Sequence, residues 1–135
     1  MLISCQFWIG CQGNSCGDLG NIEVSPWLQA QAAKTGFPYC TVMRQAKGKN
    51  KAAIAKLIRF AYKTDDDTAV EHGIAFSQLA MELGDDFFLG FVQQQGRNQQ
   101  LLVAKMLDAA MEFSEPALPI QEKLPKTVGL LLNYE

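Results

Sequence analysis

Residues 47–63, KGKNKAAIAKLIRFAYK, decide the fold class, because their apolar side chains recur at helical spacing. At 100° per residue, Lys56, Arg59 and Lys63 fall on one side of the helical wheel. The opposite side is broad and apolar, and it consists of Ile54, Leu57, Ile58, Phe60 and Ala61. The stretch is therefore predicted to be an amphipathic basic helix that packs on a hydrophobic core.

Three more helices are predicted to follow, each introduced by polar residues. The segment TDDD at 64–67 offers side-chain oxygens to the free amides at the start of a helix near 68–83. Two further aspartates introduce a short aromatic helix, FFLGFVQQQ, at 87–95. The next segment, RNQQLLVAKMLDAAMEF at 97–113, is apolar almost all round, so we expect it to be the central buried helix.

The flanking segments are predicted to be more varied. Ser25 and Pro26 are typical of a helix start and Gly36 of a helix end, which predicts a short helix near 26–34. The segment FPYCTVM at 37–43 carries proline, aromatic and β-branched residues, which favour an extended conformation. The terminal TVGLLLNYE fits either a short strand or a last helix, since a short apolar run cannot be typed by its period alone.

Together these elements predict a mainly α protein, a single-domain helical bundle or stacked helical hairpins over residues 1–135. Residues 1–24 are expected to form an irregular or extended segment rich in glycine and cysteine. Residues 25–113 are expected to form the helical core, and 114–135 a C-terminal segment that contains prolines. The pattern also allows a short two-stranded pairing of residues 39–43 with the C-terminus.

The four cysteines, Cys5, Cys11, Cys16 and Cys40, do not predict a metal site, because their spacing contains no CxxC or CxxH knuckle. They permit three disulfide pairings, among which the sequence cannot choose. In a reducing cytoplasm, Cys5 and Cys11 are expected to behave as small buried hydrophobic residues, with Cys16 in a loop. We adopt this interpretation and predict a cytoplasmic protein.

The residues around Cys5 leave a second localisation open. The motif LISC at 2–5 resembles the lipobox of bacterial lipoproteins, in which small residues precede a cysteine that is acylated. Only Met1 precedes the motif, whereas an export signal has a basic region and about 7 to 15 apolar residues before its cleavage site. The alternative is therefore an exported protein or lipoprotein whose true start lies upstream of LISC.

Composition and charge narrow the class of protein. Apolar residues make up 48% of the chain, but no apolar run approaches the roughly 20 residues of a membrane-spanning helix, so no membrane span is predicted. The formal charge of −2 is unevenly distributed, because seven basic residues and no acidic ones lie between residues 44 and 63. This predicted basic patch consists of Arg44, Lys47, Lys49, Lys51, Lys56, Arg59 and Lys63.

No assembled site is visible in the sequence, so no catalytic residue, metal ligand or cofactor is predicted. The only histidine, His72, falls on the apolar face of its helix and is expected to be structural. Our first functional hypothesis is a non-enzymatic helical interaction module that binds a protein partner or itself through Phe87, Phe88 and Phe91. The alternative for these rings is burial in the core of the chain itself.

Two further functions remain as alternatives. The basic patch predicts binding of a nucleic acid or an acidic partner, although the overall charge is acidic and no recognisable nucleic-acid motif is present. The other alternative is a small-ligand protein or enzyme that uses the Gly/Cys loop together with Asp18, His72 or Cys40. We expect a protein that is not an enzyme, since nothing in the sequence defines a reaction.

Overall fold

The computed structural model describes residues 16–132, and that part of the chain is mainly helical, with no strand. The mainly α prediction is confirmed. The helices are α1 (Pro26–Lys34), α2 (Tyr39–Lys47), α3 (Lys51–Phe60), α4 (Asp66–Leu83), α5 (Asp85–Gln93), α6 (Arg97–Phe113), α7 (Ile120–Lys123) and α8 (Pro125–Leu132). A single 3₁₀ turn, Ala61–Lys63, follows α3 directly.

Short polar side chains define the starts of three helices. Ser25 caps α1, Asn50 caps α3 and Asp65 caps α4, each by accepting a hydrogen bond from the backbone amide three residues later. The distances are 3.1, 3.1 and 2.9 Å. The predicted helix near 26–34 is confirmed, and the acidic segment at 64–67 does cap α4.

The central helix is α4, which packs against α1, α2, α5, α6 and α7. Ten of its 18 residues are buried, compared with five of 17 in α6. The prediction that α6 is the central buried helix is therefore wrong. Other helices cover only part of the apolar surface of α6, so that Leu101 and Phe113 remain 38% and 54% exposed.

The predicted extended segment is also wrong, because residues from Tyr39 onward form α2. Its buried residues, Tyr39, Val42, Met43 and Ala46, recur at helical spacing and pack on the core. The possible pairing of 39–43 with the C-terminus is absent from residues 16–132, where the C-terminal segment forms helix α8 instead.

A disulfide joins Cys16 to Cys40, with the two Cα atoms 5.2 Å apart. It ties the segment that precedes α1 to the first turn of α2, and Arg44 Nη2 donates to the Cys16 carbonyl at 2.9 Å beside it. Cys16 does lie outside the helices, as expected, but the expectation that it is a reduced thiol is wrong. The predictions for Cys5 and Cys11 lie outside the described residues.

None of the described helices combines the length and the hydropathy that a membrane-crossing segment would need.

Candidate functional site

A groove of about 530 Å³ opens where the connection between α1 and α2 meets the end of α3. Its apolar lining comes from Phe37, Pro38, Val42, Phe60 and Tyr62. Three cations, Lys56, Arg59 and Lys63, complete the wall. We call this feature the basic aromatic groove. Its lining contains no carboxylate.

The floor of the groove is held by aromatic packing. The Phe37 ring stacks on Phe60 with a centroid distance of 4.5 Å and an angle of 25°. The Tyr39 ring meets both rings edge-on, at 5.8 Å from Phe37 and 5.5 Å from Phe60. Phe60 and Tyr39 are buried, so this cluster fixes the floor as part of the core.

Tyr62 stands apart from that floor. It lies in the 3₁₀ turn after α3, and its side chain is 62% exposed, the largest value among the large apolar side chains described. A tyrosine combines an apolar ring with a polar hydroxyl, which makes it a frequent anchor residue at interfaces. The groove therefore has a fixed floor and an exposed aromatic side chain at its edge.

The three cations of the groove are exposed and lack an ion pair within residues 16–132. The one ion pair in that part of the chain joins Lys126 to Asp86, which lies elsewhere. No ion pair joins these cations to the nearby aspartates at 65–67. Lys56, Arg59 and Lys63 are thus accessible to an anionic ligand.

The seven residues of the predicted basic patch do not all face this groove. Arg44 contacts the Cys16 carbonyl, and the Lys49 ammonium lies 5.3 Å from the centroid of the Phe87 ring. The Lys47 side chain packs beside Gly20. These three cations contact the chain itself, whereas Lys51 is exposed at the start of α3 and outside the groove.

The three phenylalanines predicted to bind a partner are distributed differently. Phe88 is fully buried and packs edge-on against Phe76 at 5.7 Å, and Phe91 is only 3% exposed. Phe87 is half-buried under Lys49. Burial in the core of the chain, which was the alternative for these rings, therefore describes Phe88 and Phe91.

His72 is buried and both ring nitrogens are hydrogen-bonded, as expected for a structural histidine. Nε2 lies 2.8 Å from the Leu57 carbonyl, which can only accept, so Nε2 carries the hydrogen. Nδ1 then accepts from the Tyr39 hydroxyl at 2.6 Å. Burial lowers the pKa of His72 to about 4, although the bond to Leu57 acts in the opposite direction.

The three residues named for the enzyme alternative do not form a reactive centre. Cys40 is held in the disulfide, His72 is buried with both nitrogens occupied, and Asp18 is exposed. A nucleophile and its base must lie in hydrogen-bond contact, and these side chains do not. The part of the chain that the structure describes also contains no group of three His, Cys, Asp or Glu side chains placed to hold a metal ion.

Phe37, Pro38 and Tyr62 are not among the functional residues that the sequence pattern predicts. They come from two segments that are distant in the sequence, and only the packing of α2 on α3 brings them together. The one local indication of the groove in the sequence is the spacing of Lys56, Arg59 and Lys63 on the polar side of α3.

Neither a protein-family model, nor a curated protein, nor a solved structure matches this chain. Function is therefore inferred from the geometry of the groove.

Proposed function

We propose that the protein is a non-enzymatic helical binding module whose basic aromatic groove receives an acidic protein segment that carries an apolar or aromatic side chain. The observation that carries the proposal is the combination of three exposed cations without ion pairs and an aromatic floor. An apolar side chain of the partner would bury on the floor and against Tyr62. Its flanking carboxylates would face Lys56, Arg59 and Lys63.

The two parts of the groove have different physical roles. Exposed ion pairs each contribute only about 0 to 1 kcal/mol, so the cations would mainly steer the partner and select against basic segments. Burial of apolar surface contributes about 25 cal/mol per Å², so the aromatic contact would supply most of the affinity. We therefore expect binding that needs both an aromatic side chain and flanking acids in the ligand.

A protein segment fits the groove better than a nucleic acid does. Binding of single-stranded nucleic acid uses open ring faces on which bases stack. Here the rings of Phe37 and Phe60 stack on each other, and Phe60 is only 2% exposed. Tyr62 is the one ring of the groove with a largely open surface. Of the four patch cations outside the groove, Arg44, Lys47 and Lys49 contact the chain itself.

The disulfide is relevant to the compartment in which such a module works. Disulfides such as Cys16–Cys40 persist in exported proteins and are rare in the reducing cytoplasm. This supports an oxidising compartment, and so the exported alternative, over the cytoplasmic expectation.

Fluorescence anisotropy with a labelled peptide tests the proposal. The probe is a short peptide in which glutamates flank one tryptophan, and its matched control carries alanine in place of the tryptophan. The double variant K56E/R59E is expected to weaken probe binding at least tenfold, and Y62A to weaken it without changing its salt dependence. K51E, a single charge reversal on α3 outside the groove, should bind as the wild type does.

Two results would overturn the proposal. The first is the absence of saturable probe binding, and the second is an equal loss in K51E and K56E/R59E. A parallel titration with a single-stranded oligonucleotide covers the other partner class. Salt-sensitive oligonucleotide binding that K56E/R59E removes, with no peptide binding, would replace the protein partner by a nucleic acid.

A further inference from the structure

Apart from Tyr62, the exposed aromatic residues described lie outside the basic aromatic groove. The large apolar side chains that are exposed within residues 16–132 are Trp27, Tyr62, Leu101, Phe113 and Leu130. Trp27 and Phe113 are 48% and 54% exposed, and together they line a depression around the first turns of α4. Exposed large apolar residues that cluster on one surface are typical of an interaction site.

This second depression has the opposite charge. Its wall contains Asp66, Asp67 and Glu71, and no cation lines it. We call it the acidic aromatic face. Acids in the first turn stabilise the positive end of a helix, which accounts for Asp66 and Asp67 in α4. That role does not account for the exposure of Trp27 and Phe113 beside them.

The acidic aromatic face and the basic aromatic groove belong to one continuous surface. Between them lies a shallow depression to which Tyr62 and Asp66 both contribute. Tyr62 also lines the groove at one end, and Asp66 lines the acidic face at the other. The surface thus carries cations and aromatic rings at one end, and carboxylates and aromatic rings at the other.

We infer that this surface is an interface for a second copy of the same chain, arranged about a two-fold axis. The inference rests on the proposed function, because the acidic aromatic face of the second copy would be the acidic, aromatic partner of the groove. A rotation of 180° places the cationic end of each copy opposite the acidic end of the other. Three cations then meet three carboxylates twice, and Trp27 and Phe113 reach the aromatic floor.

Charge reversal at the two ends gives a test with an internal control. In the homodimer of K56E/R59E, glutamates would face carboxylates at both contacts, and in that of D66K/D67K, lysines would face cations. Each variant alone is expected to raise the dimer dissociation constant at least tenfold in sedimentation velocity. An equimolar mixture of the two should recover the dimer, because every contact in the mixed dimer is again between opposite charges.

Control variants separate the interface from general charge effects and from folding. K51E on α3 and E82K at the end of α4 reverse one charge each, in the same direction and on the same helices but outside this surface, and both should remain dimeric. D66K/D67K loses two acids from the first turn of α4, so W27A provides a second way to weaken the acidic end. Circular dichroism of every variant checks that the fold is retained.

The outcomes distinguish the inference from the proposed function. A wild-type protein that stays monomeric at every concentration, yet binds the tryptophan probe, overturns the inference and leaves the proposed function standing. A dimer that neither charge-reversal variant weakens, or a mixture that forms longer assemblies, also overturns it. A monomer that does not bind the probe overturns both.

Discussion

The Tyr39 hydroxyl donates to Nδ1 of His72 across 2.6 Å, and this bond joins α2 to the central helix α4. The Nε2–H group of the same imidazole donates to the Leu57 carbonyl of α3, so that a single buried ring connects three helices. Burial raises the pKa of Tyr39 well above its ordinary value, and the charge of Glu71 adds to that effect. The hydroxyl therefore stays a donor. Because Phe60 packs edge-on against both rings, this network also supports the floor of the groove.

The protonation of His72 should make stability depend on pH. The pKa of His72 is about 4 in the folded protein and about 6.5 in the unfolded chain, so below pH 6.5 the unfolded state binds the additional proton. The wild type is expected to lose about 2 to 3 kcal/mol relative to H72Q between pH 7.5 and 4.5. Glutamine does not titrate, and urea denaturation of both proteins across this range measures the difference. Parallel stability curves would contradict the assignment.

Gly73 permits the close approach of α4 and α6. A Cβ atom at this position would lie 3.0 Å from the Met106 carbonyl oxygen, which belongs to the backbone of α6. G73A should therefore lower the free energy of unfolding by about 1 to 3 kcal/mol. The matched control is G90A in α5, where a Cβ meets nothing within 4 Å and alanine should be neutral or stabilising by up to about 1 kcal/mol. Equal effects of the two variants in chemical denaturation would show that the contact is not limiting.

Asp85 caps α8 from the start of α5. Its carboxylate accepts from the Lys126 amide at 2.9 Å, and from the Thr127 amide and hydroxyl at 3.0 and 2.8 Å. Although burial acts to raise the pKa of Asp85, these hydrogen bonds hold it below its ordinary value. The stabilisation is thus present above the unfolded pKa and is lost as the pH falls through the folded one.

Removal of this cap should be measurable in thermal or chemical unfolding. D85A is expected to cost about 1 to 2 kcal/mol. D86A is the matched control, because Asp86 makes only an ion pair with Lys126 in which the two side chains are 86% and 65% exposed. Its loss should cost no more than about 1 kcal/mol. A larger effect of D86A than of D85A would refute the capping role.

The Cys16–Cys40 disulfide closes a loop between residues 24 apart in the sequence. Restriction of the unfolded chain by a loop of this size contributes about 3 kcal/mol, so C16S/C40S should be destabilised by about that amount. Intact-mass spectrometry after alkylation and peptide mapping provides the direct check. Both cysteines should resist alkylation without reductant, whereas modification of both in the native protein would contradict the bond.

The helices with clear end signals could be predicted from the sequence. Ser25 and Pro26 define the start of α1, and the apolar spacing of residues 54–60 defines α3. In the segment at 37–43, the β-branched and aromatic residues favour an extended conformation, but the spacing of the apolar residues favours a helix. Tyr39, Val42, Met43 and Ala46 follow the i, i+3, i+4, i+7 pattern of a helix, and Pro38 lies just before its first residue.

The groove and the disulfide could not be predicted in the same way. Phe37 and Phe60 stack only because α2 packs on α3, and no local spacing records that contact. Four cysteines permit three pairings, and the choice of Cys16 with Cys40 depends on where the segment before α1 runs. The exposure of Phe113 likewise depends on which side of α6 meets α4, which the nearly uniform apolar sequence of α6 does not specify.

Mapping the bound peptide by nuclear magnetic resonance tests the central claim, that the basic aromatic groove is the binding surface, most directly. In ¹⁵N–¹H spectra titrated with the tryptophan probe, we expect the largest shift changes at residues 37–42 and 56–63. The alanine control peptide should produce much smaller changes at the same amides. Saturable changes confined to another surface, such as the one around Leu101 and Leu130, would contradict the claim, as would the absence of any change.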